Sequence, residues 1–281
     1  MSEFTVSRSN DTVDITMPFN ATRTWQQTAL AISDIHFDSQ DCDRKMLKRL
    51  LDQAVELEAP VIIGGDLYDA MQSRDDPRRC SATMKPEYLV DYVDAIVDEC
   101  VEFLRPYAAN IALLTTGNHE SNIAKRLGTN IIKRTAKALG VLDGGYACWV
   151  RFKFLEGDRL RTSWNTYVYH GSGGASPVTK GIIQANRRAV FLDAADLVIT
   201  GHTHRFYITT NALHGITPKG NMYVHDQYHV SLGCFVDSFM RQNGWSVEKG
   251  FGPADRGGAW LRWRYADDDH RRTRLEITQA T

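Results

Sequence analysis

No run of apolar residues approaches the ~18 to 20 that a membrane-crossing helix needs, and the opening "MSEFTVSRSNDTVDITMP" lacks the charged start and apolar core of a secretory leader. The five cysteines (Cys42, Cys80, Cys100, Cys148 and Cys234) are odd in number, scattered and never arranged as C-x-x-C. That pattern argues against a thiolate zinc site and a disulfide framework, and it fits a reducing compartment. A cytoplasmic location is therefore expected, with Asn10-Asp11-Thr12 and Asn20-Ala21-Thr22 as chance sequons. The formal net charge is only −1, so no global field draws the chain to nucleic acid or to an anionic membrane, and any attraction to phosphate must be local. Also missing are a fixed-period repeat, a low-complexity linker and a G-x-S-x-G nucleophile elbow, which leaves no mark of a second domain and no support for a serine nucleophile.

What is present is an apolar content of 43% in 281 residues, enough for a large core in a single α/β domain spanning 1–281. Through the first two-thirds, apolar runs alternate with amphipathic stretches, the signature of βαβ units. "TALAIS" (Thr28 to Ser33), "PVIIGG" and "NIALLTTG" predict strands. Asp43 to Leu57 predicts a helix capped by Asp43, Pro86 opens a second through Leu104, and Asn122 to Leu139 predicts a third that Gly140 ends. From Tyr146 the period becomes two, in "YACWVRFKFL" and "RTSWNTYVYH", and a helix from about Thr179 to Leu192 leads to a buried strand at Leu197 to Ile199. Residues 1–27 read as an arm or hairpin turning at Asn10-Asp11, and 205–281 as C-terminal strands, "GAWLRWRYA" and "RRTRLEITQ" among them.

Nearly every strand of this scheme ends in residues that bind metals. Asp34 and His36 follow the first, Asp66 and Asp69 the second, Asn118, His119 and Glu120 the third, His170 the "YVYH" strand, and His202 and His204 the "VIT" strand. Ligands of open α/β sheets gather beyond the carboxyl ends of strands, so these five segments converge. In an extended segment residues i and i+2 share a face, which predicts that Asp34 with His36, and His202 with His204, aim at one pocket. Glycines 64, 65, 117 and 201 allow sharp turns and close approach there. Carboxylates, an amide and imidazoles without thiolate suit Mn²⁺, Fe or Zn²⁺ in an open site. The candidates outnumber what one tetrahedral ion uses, which points to two ions sharing a carboxylate.

In order and separation, Asp34-x-His36, Gly65-Asp66-x-x-Asp69, Gly117-Asn118-His119-Glu120, His170 and Gly201-His202-x-His204 resemble the motifs of the calcineurin-like metallophosphoesterases. The resemblance implies two mixed β-sheets packed as a sandwich and flanked by helices. It implies two divalent metal ions, Mn²⁺ first and Fe, Zn²⁺ or Ni²⁺ as alternatives, with Asp34, His36, Asp66 and His204 on one and Asp66, Asn118, His170 and His202 on the other. His119 is then the group that stabilises the transition state or protonates the leaving oxygen, and Asp69 the carboxylate that hydrogen-bonds it. The implied reaction is in-line attack on phosphorus by a metal-held hydroxide.

Departures from better-known branches narrow the substrate. Ala70 stands where protein phosphatases of the superfamily carry an arginine, Asp69 where purple acid phosphatases carry a tyrosine, and Asn118-His119 where lipid A branches carry Asn-Arg. The resemblance is therefore strongest to phosphodiesterases, nuclease-like branches included, with DNA, RNA or a nucleotide as the partner and no membrane. A phosphomonoesterase and a non-catalytic metal-binding scaffold are the alternatives. Arg74, Arg78, Arg79 and Lys85 in the 71–85 loop, and Lys180 in "GSGGASPVTKG", could meet phosphate or be solvated charge. Arg187, Arg188, Arg271, Arg272 and Arg274 read as surface charge. Trp149, Phe152, Phe154, Trp164, Tyr167 and Tyr169 read as sheet packing, with base stacking as the second reading. Trp260 and Trp263 carry the same two readings, and His214, His225, His229 and His270 receive no role.

Overall fold

In the computed structural model, which describes residues 4–72, 85–174, 176, 178–179, 181–237, 239, 247, 250, 252–267 and 271–281, the continuous apolar runs become central parallel strands. These are β3 (Gln26–Ile32), β4 (Val61–Gly64), β5 (Ile111–Thr115) and the short β6 (Leu142–Asp143). The antiparallel pair β12 (Gly258–Tyr265) and β13 (Thr273–Ala280) completes a six-stranded mixed sheet of order β13-β12-β3-β4-β5-β6. The alternating segments build the second sheet from β1 (Thr5–Ser9), β2 (Thr12–Pro18), β7 (Ala147–Glu156), β8 (Arg159–Tyr169), β9 (Leu197–Thr200), β10 (Tyr207–Ile216) and β11 (Met222–Ser231). Its seven strands run in the order β1-β2-β7-β8-β9-β11-β10, also mixed. Here β1 and β2 form a hairpin that turns at Asn10 (φ 53°), and β2 pairs in parallel with β7.

The two sheets face each other across a core that takes Val13, Phe152, Phe154, Val168 and Ile199 from one side and Ala31, Ile62, Leu113, Leu261 and Trp263 from the other. Trp263 is fully buried, with ring centroids 4.5 Å from Phe152 and 5.4 Å from Phe154. Sheet packing is thus its role. On the outer face of the six-stranded sheet lie α1 (Arg44–Glu56), α2 (Tyr92–Leu104), α3 (Asn118–Leu127) and α4 (Ile131–Leu139), contributing Leu47, Leu50, Ile96, Ile123 and Ile132 to a second core. The outer face of the other sheet carries α5 (Ile182–Ala189), with Leu192, Ala195 and Val198 packed beneath the segment that follows it. The result is the sandwich of mixed sheets flanked by helices.

Local chemistry moves several boundaries. Asp43 caps α1 as expected, accepting the Met46 N–H at 2.9 Å. Pro86 opens only one 3₁₀ turn, Pro86–Tyr88, and the helix proper begins at Tyr92. The single helix expected over Asn122 to Leu139 is two: Gly128, left-handed at φ 66°, ends α3, and the Asn130 side chain accepts the Lys133 N–H at 2.9 Å to start α4. The β10–β11 hairpin falls within 205–281, read as C-terminal strands, although neither of its strands was singled out there. Cys42, Cys100, Cys148 and Cys234 are free thiols, and among the described residues no helix is long and apolar enough to cross a membrane. Cys80, Arg74, Arg78, Arg79, Lys180 and His270 lie outside the described residues.

One network steadies the segment that leaves β3. Arg44 donates to the Phe37 carbonyl from Nε (3.2 Å) and Nη2 (2.8 Å), lies over the Phe37 ring, and pairs with Glu99. Glu99 also accepts from Lys85 Nζ at 2.6 Å and from the Tyr88 hydroxyl. Burial acts to raise the Glu99 pKa, but these three donors outweigh it and hold the group at about 2. A carboxylate with a depressed folded-state pKa stabilises the fold above its unfolded value, ~4.4, and loses that contribution as pH falls toward 2. After allowance for its partial exposure the effect is on the order of 1 kcal/mol. Chemical denaturation should therefore find Glu99→Gln less stable than the parent at pH 7, with the gap shrinking below pH ~4.4; a gap independent of pH would contradict the network.

Candidate metal centre

All five motif segments meet at one edge, beyond the carboxyl ends of β3, β4, β5, β8 and β9. Each of the first three belongs to the six-stranded sheet and the last two to the seven-stranded sheet, so the site lies where the two sheets come together. The loops run side by side as extensions of the strands: Asp34 N–H donates to the Gly65 carbonyl (3.0 Å), His36 N–H to Asp66 (3.1 Å), and Gly201 N–H to His170 (2.8 Å).

Three groups of ligand atoms lie close together there: Asp34 with His36 and His204, Asp66 with His170 and His202, and His36 with Asp69 and His119, all atoms in each group within 4.8 Å of one another. In the first, His204 Nε2 is 3.2 Å from Asp34 Oδ1 and 3.3 Å from His36 Nε2. In the second, His170 Nε2 is 3.0 Å from Asp66 Oδ2, and Asn118 Oδ1 is 3.1 Å from His170 Nε2 and 2.6 Å from His202 Nδ1. Donors about 2.1 Å from a common ion at tetrahedral or octahedral angles stand about 3.0–3.4 Å apart, so the separations of 3.0 to 3.3 Å fit divalent cations, whereas the 2.6 Å between Asn118 and His202 is a hydrogen-bond length. His202 and His204, two residues apart, fall in different groups.

The backbone reaches this arrangement differently from the extended geometry expected of i and i+2. The strands end at Ile32 and Thr200, and Asp34 (φ 52°), His36 (φ 50°), Asp66 (φ 47°), His202 (φ 72°) and His204 (φ 53°) are all left-handed. Asp, Asn and His tolerate that region better than other non-glycine residues, and such strain collects at functional sites. Two glycines provide the clearance. A β-carbon on Gly117 would overlap the Asp66 carboxylate, and one on Gly201 would overlap Ser33 Oγ and the Asp34 carboxylate.

Each carboxylate is held by backbone amides. Asp34 accepts the His202 N–H at 3.0 and 2.9 Å through its two oxygens, as well as the Ser33 hydroxyl. Asp66 Oδ1 accepts the His119 N–H at 3.0 Å, at the amino end of α3 where the helix dipole favours negative charge. Burial alone would raise the Asp66 pKa, but its contact with His170 and the charges of His170, His119 and His36 hold it well below the usual carboxylate range. The reciprocal holds for His170: burial disfavours its cation, yet Asp66 and Asp34 raise it to about 9. His170 Nδ1 donates to the Gly64 carbonyl at 3.0 Å, which turns Nε2 toward the other donors.

His119 and Asp69 are linked through a different atom than expected. His119 Nδ1 lies 2.5 Å from the Asp69 main-chain carbonyl and 3.9 Å from its carboxylate, whereas that carboxylate is 3.2 Å from His36 Nδ1. Asp69 is positioned in turn by Asp38, a buried residue that the sequence reading passed over. Its carboxylate accepts the Asp69 (2.7 Å) and Ala70 (3.0 Å) N–H groups and the Tyr92 hydroxyl (2.5 Å), and burial together with the Asp69 charge raises its pKa. The one available signal was its position two residues after His36. Glu120 is equally structural. Fully enclosed, it accepts N–H groups from Gly117 (2.7 Å), Asp66 (3.2 Å) and Tyr68 (2.9 Å), and burial beside Asp66 raises it to about 7.

Comparison with known proteins places this geometry. The family model described as calcineurin-like phosphoesterase matches residues 28–206, which contain every motif residue above. No curated protein matches. Among solved structures, similarity extends to a predicted phosphoesterase from Streptococcus pneumoniae (12% identity, 92% of this chain and 91% of that one, TM-score 0.37). It extends also to GAP50, the anchor in the inner membrane complex of Plasmodium (10% identity, 91% and 85%, TM-score 0.44).

Proposed function

The chain belongs to the calcineurin-like phosphoesterases, and from that premise we propose that it is a two-metal phosphodiesterase hydrolysing a nucleic-acid or nucleotide phosphodiester. The observation that carries the reading is the division of donors into Asp34, His36 and His204 on one side and Asp66, His170 and His202 on the other. In this reading Asn118 joins the second set and Asp66 serves both. When bound, two divalent ions, with Mn²⁺ first and Fe, Zn²⁺ or Ni²⁺ as alternatives, supply Lewis-acid polarisation of the phosphoryl oxygens and a nucleophile at neutral pH.

The chain's own groups account for the rest. With its Nδ1 proton directed at the Asp69 carbonyl, His119 presents Nε2 to the site, 3.8 Å from Asp66 Oδ2, as the atom that carries a proton for the leaving oxygen. The Asp69 carboxylate stands 3.2 Å from His36 Nδ1, which makes no hydrogen bond among the described residues, and His36 Nε2 faces His204. Preference for a diester is supported by Ala70, which is buried and gives its N–H to Asp38 in the position where an arginine would clamp a monoester dianion.

With Mn²⁺ present, bis-p-nitrophenyl phosphate should be hydrolysed faster than p-nitrophenyl phosphate; a strong monoester preference would overturn the substrate assignment, and no hydrolysis with any divalent ion would overturn the reaction. Metal counting tests the two-ion reading separately. His202→Ala and His204→Ala should each lose about one of two bound ions, and loss of both from either variant, or of none, would remove the division.

A further inference from the structure

The outer face of the seven-stranded sheet holds a pocket of about 340 Å³ lined by Tyr167, Tyr169, Ser172, Gln184, Arg188 and Phe191, with Arg187 at its edge. Its floor is made by the β8 rings Tyr167 and Tyr169, side by side with centroids 6.4 Å apart and planes within 26°. Tyr169 precedes the metal-site residue His170, and Ser172 follows it by two residues. Tyr146 connects the two places, its ring 5.7 Å from Tyr169 and 6.2 Å from His170. The pocket therefore opens on the back of one metal-ligand segment.

Arg188 is the feature that needs explaining. The residue is 8% exposed, and its guanidinium stands 5.1 Å from the Tyr169 ring centre. Among the described residues it makes no ion pair and no side-chain hydrogen bond. Burying a guanidinium without an anion is costly, and contact with an aromatic face offsets only part of that cost. Such a group is retained where something else supplies the negative charge. At the mouth stands Phe191, a large aromatic side chain 67% exposed, and the neighbouring Arg187 is exposed and unpaired among the described residues.

We propose that this pocket holds one nucleotide unit, its base against Tyr167, Tyr169 and Phe191 and its phosphate on Arg188 and Arg187. The proposal rests on the nucleotide reading of the substrate given above. Aromatic faces beside a fixed cation are how proteins take single-stranded nucleotides without reading a duplex, and the volume is at the lower end of the ~300–1,000 Å³ range of small-molecule sites. Gln184 and Ser172 supply polar groups for the base edge or sugar. A purely apolar guest would leave Arg188 unanswered, and a bare phosphate would leave Phe191 in water.

Calorimetry on the full chain in EDTA tests the site without the reaction. Thymidine 5′-monophosphate should bind about tenfold more tightly than ribose 5-phosphate, the scale of one stacked base. Arg188→Met, which keeps the buried volume, and Phe191→Ala, which touches no core, should each weaken the nucleotide by about tenfold. Equal binding of the two probes, or nucleotide binding unchanged in Phe191→Ala and in a folded Arg188→Met, overturns the proposal. Hydrolysis of methyl 4-nitrophenyl phosphate by the parent protein with Mn²⁺ reports on the reaction alone. Failure there with nucleotide binding intact would remove the enzymatic reading and leave the pocket standing.

Discussion

His119→Ala is expected to lower turnover of a phosphodiester by about 10²–10⁴-fold, the usual worth of a positioned general acid, without changing the metal content. The split between the two readouts follows from the geometry. His119 shares a cluster with His36 and Asp69, but its Nδ1 is engaged by the Asp69 carbonyl and its Nε2 is 3.8 Å from the nearest Asp66 oxygen, farther than the 3.0 Å of His170. A proton carrier needs that stand-off, whereas a ligand does not. If the variant loses an ion, His119 is a ligand; if it keeps both ions and full turnover, the leaving oxygen takes its proton elsewhere.

Glu120→Ala is expected to destabilise the fold by about 3 kcal/mol, because three buried N–H groups lose their acceptor at ~1–3 kcal/mol each while the cost of burying a carboxylate is recovered. For a chain of this size that lowers the midpoint of thermal unfolding by roughly 6–12 °C. The loss should reach the site as well. Glu120 ties the amides of Asp66 and Tyr68, after β4, to that of Gly117, after β5, so metal affinity should fall with stability. Glu120→Gln is the informative companion, since its NH₂ must face an N–H it cannot accept from, and it should rescue little. A thermal scan that leaves Glu120→Ala within 2 °C of the parent would show that water can replace the carboxylate, and one that leaves Glu120→Gln there would show that a single amide oxygen suffices.

How much of this was legible beforehand differs by level. That Asp34, His36 and His204, and Asp66, His170 and His202, would come together could be read from the ordered recurrence of acids and imidazoles at the ends of apolar runs, since any one of them alone is as readily a turn residue. The way they converge could not. Extended backbone was the natural expectation for Asp34-x-His36 and His202-x-His204, yet all four residues are left-handed, a conformation that leaves no periodic trace when glycine does not adopt it. The start of α3 at Asn118 was hidden for a related reason: its first turn carries site residues, and its N-cap is Gly117 rather than a Ser or Asp. In the β10–β11 hairpin, β10 alternates between partly buried and exposed positions and the first half of β11 is mostly exposed, so neither carries the apolar run that marks the central strands. Arg188 read as surface charge because a pattern of charges along a helix records spacing and not depth.

The placement of the donors has a mechanical side. Asp34 and His36 extend from one sheet while His204 extends from the other, and Asp66 faces His170 and His202 in the same way. A cation seated in either group would thus act as a rivet between two layers that elsewhere adhere mainly through apolar contact, with few polar links such as Trp164 Nε1 to Thr273 Oγ1. Occupancy and cohesion become one thermodynamic quantity: resistance to heat should climb with the logarithm of free ion concentration once the sites begin to fill, and a chelator should weaken the seam between the layers before it disturbs the helices outside them.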